Sequence, residues 1–111
     1  MLIRNNQTDE EQVIYPAGVF VFIGLMPNTS VLKDTGVKLS KWGFVQTGHD
    51  LEHDGHQFPA FAGRDPRFLE TSIPGIFAAG DVRQGSTKQV ASATGEGATA
   101  ALLIREYLKT V

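Results

Sequence analysis

Two short runs of apolar residues carry no alternating polar positions. One spans residues 18–24 (GVFVFIG) and is followed by Pro27-Asn28; the other spans residues 76–79 (IFAA), between Pro74-Gly75 and Gly80-Asp81. Such a run is typical of a strand that is covered on both faces, as in a parallel sheet. The pattern therefore predicts a core strand at 18–24 and a buried strand at 76–79.

A helical repeat begins near Lys88, where apolar and small residues recur at intervals of three and four. This spacing predicts a long C-terminal helix with one buried face. The residues of that predicted face are Val90, Ala93, Gly97, Ala101, Ile104 and Leu108. Ser86 and Thr87 are natural N-caps. Gly95 and Gly97 each cost about 1 kcal/mol in a helix interior relative to Ala, so close approach of another backbone or a flat ligand is expected there.

Two polar turns predict hairpins in the first half of the chain. The first hairpin folds at the polar run 5–12. The second folds at Lys41-Trp42-Gly43, between the apolar segments 37–39 and 44–47. Both follow the pattern of short apolar segments separated by turn-forming residues. A short helical turn is predicted at 29–33.

The order of strand, loop and helix predicts a ligand site around Asp81. This residue follows the predicted buried strand directly, and open α/β sheets bind ligands at the carboxyl ends of their strands. A carboxylate there accepts hydrogen bonds from the hydroxyls of a sugar or sugar alcohol. The start of the following helix favours an electron-rich ligand atom, because its backbone N–H groups are unpaired. The alternative is a plain strand–loop–helix unit with an exposed aspartate.

The residues of this unit carry a family resemblance. TSIPGIFAAGDVR at 71–83, followed by KQVASATGEGATAA at 88–101, resembles the C-terminal flavin-binding segment of thioredoxin reductase-like flavoproteins. GDVRQGSTKQVASATGEG at 80–97 is especially similar to a subgroup that is often fused to a cyclic-nucleotide-binding domain. GVFVFIGLMPNT at 18–29 resembles the crossing between the two domains of the same family.

The resemblance implies an α/β fold: a C-terminal fragment of a two-domain FAD/NAD(P)-binding Rossmann-type architecture, with β-hairpins, one buried strand and a long C-terminal helix. Residues 1–27 would form the tail of the NAD(P)H-binding domain and the crossing segment. Residues 28–111 would form the C-terminal segment of the FAD-binding domain, with a long loop at 48–70.

The resemblance also implies a site and a function. Asp81, in the Gly80-Asp81 pair, would hold the ribitol of FAD, and Lys88, Gln89 and Val90 would lie beside the flavin ring. The implied function is a transfer of hydride from NAD(P)H through FAD to a disulfide or another acceptor, with no catalytic residue in this chain. Arg83 and Lys88 are either cations near the flavin's N1–O2 edge or surface charges.

Two alternative functions remain open at this point. The chain is either a non-catalytic assembly module, which completes a flavin site with another polypeptide, or a self-associating fragment. The expected partners are a second copy of the chain or the missing N-terminal part of the parent.

Composition limits these interpretations. The chain has 111 residues and a formal net charge of −2, which gives no electrostatic signal for nucleic acid or an anionic membrane. It contains no cysteine and no GxGxxG motif, so a redox-active cysteine pair and a dinucleotide fingerprint are both missing. The chain therefore resembles the last third of a reductase. No apolar run is long enough to span a bilayer, and the expected location is cytoplasmic.

The long loop holds all three histidines of the chain together with carboxylates. These residues are His49, Asp50, Glu52, His53, Asp54 and His56. Histidine and carboxylate bind divalent metals, but no tetrahedral ligand spacing is present, so no metal site is assigned and a solvated or partner-facing loop is expected. Phe58, Phe61 and Phe68 are expected to be pinned into the body or an interface, and Arg64-Asp65-Pro66 to cap a turn.

Overall fold

The structure, a computed structural model, describes residues 1–52 and 59–111. Its regular elements are few. They are the strands β1 (Leu2–Arg4) and β2 (Glu11–Val13), the helices α1 (His49–Glu52) and α2 (Val90–Leu108), and 3-10 turns at Ser30–Leu32, Pro59–Phe61 and Gly80–Val82.

The first predicted hairpin is confirmed, although its second strand begins at Glu11, inside the run predicted as turn, and ends at Val13. Strands β1 and β2 pair antiparallel in a two-stranded sheet, with Leu2 opposite Val13 and Arg4 opposite Glu11. The polar turn is closed by Asn5, whose side-chain oxygen accepts the backbone N–H of Gln7 at 2.9 Å. The side chains of both strands are exposed, so this hairpin packs on no other described part of the chain.

The prediction of a core strand at 18–24 is wrong for this chain. Residues 14–29 form no strand, and their large apolar side chains face solvent: Phe20 is 81% exposed, Phe22 90% and Ile23 90%. An apolar strand needs neighbouring strands for its backbone N–H and C=O groups and a layer over each face. The described residues supply neither to this segment.

The second hairpin and the short helical turn are both confirmed. Leu39 forms an antiparallel bridge with Val45, and the turn between them is closed by the Ser40 N–H, which donates to Phe44 O at 2.8 Å. Gly43 occupies the left-handed region at φ +87°, which glycine adopts without steric cost. The helical turn predicted at 29–33 is the 3-10 turn Ser30–Leu32.

The run predicted as a buried strand, 76–79, is extended but neither buried nor a full strand. Phe77 forms one antiparallel bridge with Glu70, and the Ala78 N–H donates to Leu69 O at 2.9 Å. Ile76 remains 44% exposed. Because only the segment around Glu70 pairs with this run, one edge and part of its surface stay uncovered.

A small core lies between the second hairpin, the loop and α2. Its buried apolar residues are Val37, Val45, Leu51, Phe61, Leu69 and Ala100. Phe61 is therefore packed into the body as predicted, whereas Phe68 is 54% exposed, so for Phe68 only the predicted alternative of an interface is left. Phe58 lies outside the described residues. The loop contains a helical turn of its own, α1, which buries Leu51.

The long C-terminal helix is confirmed, but it begins at Val90 with Gln89 in the N-cap position. Ser86 and Thr87 are therefore not its caps. Lys88 explains the later start, because it adopts φ +58°, in the left-handed region, and a residue in that conformation cannot belong to a right-handed helix.

The face of α2 that meets the body is rotated from the predicted one. Its more buried members are Ser92, Ala93, Glu96, Thr99, Ala100, Leu103, Glu106 and Tyr107. Apart from Ala93, the predicted face is largely exposed, with Val90 at 84% and Leu108 at 63%. Among the described residues, no atom beyond the neighbouring backbone of α2 itself lies within 4 Å of a Cβ added at Gly95 or Gly97. The helix is apolar on two sides, and periodicity cannot tell which side this chain covers.

No helix in the described ranges is long and apolar enough to cross a membrane.

Candidate functional site

The predicted ligand residue Asp81 lies in the 3-10 turn Gly80–Val82, directly after the extended residue Ala79. Gly80 is buried and adopts φ +80°. A Cβ on Gly80 would lie 3.5 Å from the Cβ of Ala93, in the first turn of α2. The turn therefore packs against the start of the helix. Asp81 itself is exposed and belongs to no ion pair among the described residues.

Glu96 joins this turn to α2. Its carboxylate accepts the Gly80 N–H at 2.7 Å and binds the guanidinium of Arg83 at 2.6 and 3.1 Å. Only 9% of the Arg83 side chain and 11% of the Glu96 side chain are exposed. The hydrogen bonds from Arg83 hold the pKa of Glu96 below its ordinary value, against the opposing effect of burial. The pair is therefore ionised at neutral pH and ties the turn to the helix.

Lys88 stabilises the segment 83–88, which connects the turn Gly80–Val82 to α2. Its Nζ donates to Arg83 O at 2.8 Å and to Ser86 Oγ at 3.0 Å, and it lies 4.4 Å from the centroid of the Phe44 ring. Arg83 in turn lies over Phe68, with its Cζ 5.3 Å from the ring centroid. Arg83 is 8% exposed, so its interpretation as a surface charge is wrong. Proximity of either cation to a flavin edge remains a prediction.

The start of α2 is left open to a ligand. Gln89 makes no side-chain cap hydrogen bond, and the helical ladder begins with the Ala93 N–H, which donates to Gln89 O at 2.9 Å. The preceding N–H groups of the helix have no intrahelical acceptor. Gln89 and Val90 are exposed. Partly positive N–H groups beside an apolar side chain suit an electron-rich edge of a flat ligand.

The structure therefore brings the five predicted site residues into one region. Gly80 and Asp81 form the turn that packs on the first turn of α2, and Lys88, Gln89 and Val90 lead into that same turn. An unpaired carboxylate, free N–H donors and an exposed apolar side chain match the ribitol hydroxyls and ring edge of FAD. The chemistry of this donor set fits the cofactor.

The described residues contain no group of His and carboxylate side chains arranged to hold a metal ion. His53, Asp54 and His56 lie outside the described residues, so the loop's metal chemistry is not tested by this geometry.

A second carboxylate–guanidinium pair lies outside the candidate site, at the turn that contains Gly75, and sequence reasoning missed it. Glu70 is fully buried, accepts two hydrogen bonds from Arg64 at 2.7 and 2.8 Å, and also accepts the Gly75 N–H at 2.9 Å. Burial alone would raise the pKa of Glu70, but the Arg64 hydrogen bonds and the backbone N–H groups of Arg67 and Gly75 together lower it. Arg64 thus does more than cap a turn.

Glu96 was also missed as a site residue. Thirteen positions separate it from Arg83, so no helical or strand spacing connects the two. The sequence signal at this position was a glutamate between two glycines inside a predicted helix, and helical periodicity alone does not show that such a glutamate is covered.

Known proteins share both the sequence and the fold. Residues 3–97 match the family model for pyridine nucleotide-disulphide oxidoreductases. The chain is 39% identical over 105 residues to alkyl hydroperoxide reductase F of Pseudomonas putida, 32% over 108 residues to a 34.2 kDa protein in the rubredoxin operon of Clostridium pasteurianum, and 30% over 102 residues to thioredoxin reductase of Bacillus subtilis.

These relatives are much longer. The matches cover 92–97% of this chain but only 16% of the Pseudomonas protein, 29% of the Clostridium protein and 26% of the Bacillus protein.

The crystal structure of T. acidophilum thioredoxin reductase superposes with a TM-score of 0.65 at 38% identity, covering 98% of this chain and 29% of that one. This similarity confirms the predicted α/β, Rossmann-type fold class, although the run 76–79 lacks the burial expected of it. With the family model matched over residues 3–97, the conclusion is that this chain belongs to the pyridine nucleotide-disulphide oxidoreductase family.

Proposed function

We propose that the chain is the C-terminal, FAD-binding portion of a thioredoxin reductase-like flavoprotein that moves hydride from NAD(P)H through FAD to a disulfide or another acceptor. The observation that carries the proposal is the uncapped start of α2 beside the turn that holds the unpaired Asp81. The family of the chain supports the same choice of cofactor.

The chain's own residues would bind and orient the cofactor. Asp81 would accept hydrogen bonds from the ribitol hydroxyls, the first N–H groups of α2 would stabilise an electron-rich edge of the ring, and Val90 would supply an apolar contact. Lys88 and Gln89 would lie beside the ring and connect the turn to the first residue of α2. Bound FAD supplies the hydride chemistry, and the protein supplies position and electrostatics. The chain has no cysteine, so a reducible disulfide would lie in another polypeptide segment.

The proposed boundary at residues 27 and 28 has structural support. Residues 1–26 have almost wholly exposed side chains, whereas buried residues occur from Thr29 onward. Residues 1–27 would then belong to the NAD(P)H-binding domain and the crossing, and residues 28–111 to the FAD-binding domain. The subgroup fused to a cyclic-nucleotide-binding domain remains a prediction that rests on residues 80–97 and on the long loop.

The test is FAD binding by the full chain, alone and with a complementing fragment. That fragment is the part of T. acidophilum thioredoxin reductase that this chain does not cover, produced as a separate polypeptide. We expect the mixture to hold FAD, seen as retained flavin absorbance after gel filtration. Asp81→Asn should weaken FAD binding roughly tenfold, because an amide forms weaker hydrogen bonds than a carboxylate.

Asp65→Asn is the matched control, since Asp65 is an exposed aspartate outside the site, and its binding curve should overlay that of the parent chain. Loss of flavin from every mixture, with the chain folded by circular dichroism, would contradict the proposed function.

A second candidate function, self-association, is favoured by the exposed surface. The chain exposes 8271 Å², whereas a folded monomer of its mass of 12.0 kDa exposes about 6,000 Å². Much of the apolar surface lies in residues 13–26, where Tyr15 is 92% exposed and Met26 is 96% exposed. We infer that this segment is covered either by a second copy of the chain or by the remaining part of a reductase.

A further inference from the structure

We propose that Glu96 is a positioning residue, whose carboxylate fixes the turn Gly80–Val82, and with it Asp81, against the start of α2. The inference rests on the proposed flavin site and adds to it a residue that does not itself contact the cofactor. The pair of Arg83 and Glu96, whose side chains are only 9% and 11% exposed, would thereby serve to position Asp81.

The first step is geometric. Glu96 projects from the buried face of α2, one turn after Ala93, and one of its oxygens accepts the N–H of Gly80 at 2.7 Å. Gly80 directly precedes Asp81. A hydrogen bond between a buried carboxylate and a backbone N–H is among the stronger contacts in a protein. It fixes the distance between the Asp81 backbone and the helix whose N–H groups would contact the same ligand.

The second step concerns charge. Arg83 lies two residues after Asp81 in the sequence, and a guanidinium released from Glu96 is expected to compete for the Asp81 carboxylate. Glu96 binds Arg83 Nε and Nη2, and the backbone oxygen of Gln84 accepts from Nη1 at 2.9 Å. Three of the five guanidinium N–H donors are thereby engaged inside the protein, one from each nitrogen atom. Asp81 keeps its acceptor oxygens for hydroxyl donors from a ligand.

The third step shows that other hydrogen bonds also hold the segment 80–88 in place. Lys88 Nζ donates to Arg83 O, and Val45 exchanges two backbone hydrogen bonds with the same segment, to Val82 O at 2.9 Å and from Gln84 N at 2.8 Å. Loss of Glu96 therefore frees one anchor without unfolding the loop. The expected effect is a local displacement at Gly80 and Asp81.

The experiment compares Glu96→Gln with Glu70→Gln. The two glutamates are matched, because each binds one arginine through two hydrogen bonds and also accepts a glycine N–H, but Glu70 anchors Gly75 and not the Asp81 turn. Two readouts are used on the full chain: FAD affinity in the presence of the complementing fragment, and amide hydrogen exchange at residues 80–83 without FAD.

Glu96→Gln is expected to weaken FAD binding roughly tenfold and to speed exchange at residues 80–83. Glu70→Gln should lower the free energy of unfolding. It should leave FAD affinity and amide exchange at residues 80–83 unchanged. A double variant, Arg83→Met with Glu96→Gln, removes the released guanidinium and should recover part of the FAD affinity lost in Glu96→Gln. This recovery is specific to the competition between Arg83 and Asp81, and a loss of stability alone would not produce it.

Equal loss of FAD affinity in Glu96→Gln and Glu70→Gln would overturn the proposal, because both pairs would then act through stability only. No recovery in the double variant would overturn the part that concerns Arg83. If the parent chain binds no FAD under any condition, the proposed function fails. Exchange at residues 80–83 then decides the positioning by itself, and unchanged exchange in Glu96→Gln refutes it.

Discussion

Two glycines in this chain depend on the same arrangement of side chains. Gly75 and Gly80 both adopt positive φ angles, of +81° and +80°, and each donates its N–H to a buried glutamate that is paired with an arginine. The arrangement satisfies the turn's backbone and neutralises the carboxylate at once, which removes most of the cost of burying it. At Gly75 there is a further restriction, because a Cβ would lie 2.8 Å from the Tyr107 ring.

The Glu70 pair predicts a pH dependence of stability. Because the pKa of Glu70 is lowered in the folded chain, the folded state favours the carboxylate, and the pair contributes stability at pH values above the unfolded pKa of about 4.3. That contribution is lost as pH falls through the lower folded pKa. Glu70→Gln should therefore cost about 2 kcal/mol at pH 7 and less at pH 3, measured by urea unfolding.

Glu106→Gln serves as the comparison, since Glu106 forms an exposed pair with Lys109, and its unfolding midpoint should match that of the parent chain at pH 7. A Glu70→Gln deficit of the same size at both pH values would show that Glu70 titrates normally.

Among the elements, α2 has an exposed apolar side that a partner would cover. Its face containing Ala93, Glu96 and Ala100 packs on the body, whereas the adjoining apolar side, with Gly97 and Ile104, is exposed. A helix that is apolar on two sides is typically buried on two sides. Gly97 lies on this exposed side and Gly95 lies on another exposed side of the helix, so the close approach predicted for them is not made by the described residues.

Gly95→Ala separates helix propensity from contact. The substitution should stabilise the isolated chain by about 0.8 kcal/mol, because nothing lies within 4 Å of the added Cβ and alanine is the better helix former. Thermal unfolding followed by circular dichroism measures this gain. If a backbone or a flat ligand covers Gly95 in the assembled protein, the same variant binds the complementing fragment or FAD less tightly than the parent.

The contrasting variant is Gly80→Ala. Because Gly80 has φ +80°, which alanine adopts only with strain, this variant should be about 1–2 kcal/mol less stable than the parent chain in the same assay. Equal effects of the two substitutions would contradict this account of the two glycines.

The whole molecule is extended. Its radius of gyration is 19.5 Å, whereas a compact domain of 111 residues has a radius of about 13 Å. The largest dimension is 62 Å, and β1, β2 and the apolar segment 14–26 contribute no buried side chain. Exposed apolar surface of this extent favours association, because its burial is the main source of free energy in protein–protein contacts.

We therefore expect the isolated chain to self-associate at micromolar concentration, with Phe22→Asp shifting the population toward monomer. Light scattering coupled to gel filtration measures the mass. Gln7→Asp places the same charge in the exposed polar turn of the first hairpin and should leave the mass distribution unchanged. A single monomeric species for the parent chain across the concentration range would contradict self-association and favour coverage by another polypeptide.

Local sequence signals were enough for the hairpins, the helix and the grouping of the five candidate residues in one region, whose role as a site stays a prediction. The polar turn after residue 4, the turn at 41–43, the helical spacing after residue 88 and the order of extended run, Gly-Asp turn and helix all act over a few residues, and the structure contains each of them. Burial was less predictable. Whether segments 18–24 and 76–79 are covered depends on neighbours that an apolar pattern does not specify.

Only the tertiary structure revealed the two carboxylate–guanidinium pairs, of which one anchors Gly80 in the candidate site and the other anchors Gly75 outside it. Arg83 with Glu96, and Glu70 with both Arg64 and Gly75, meet because the chain folds back on itself, and no periodic spacing connects them. Short-range patterns reflect backbone geometry, which each segment carries within its own residues. Ion pairs and burial depend on which segments come together in space, and that is decided by packing over the whole chain.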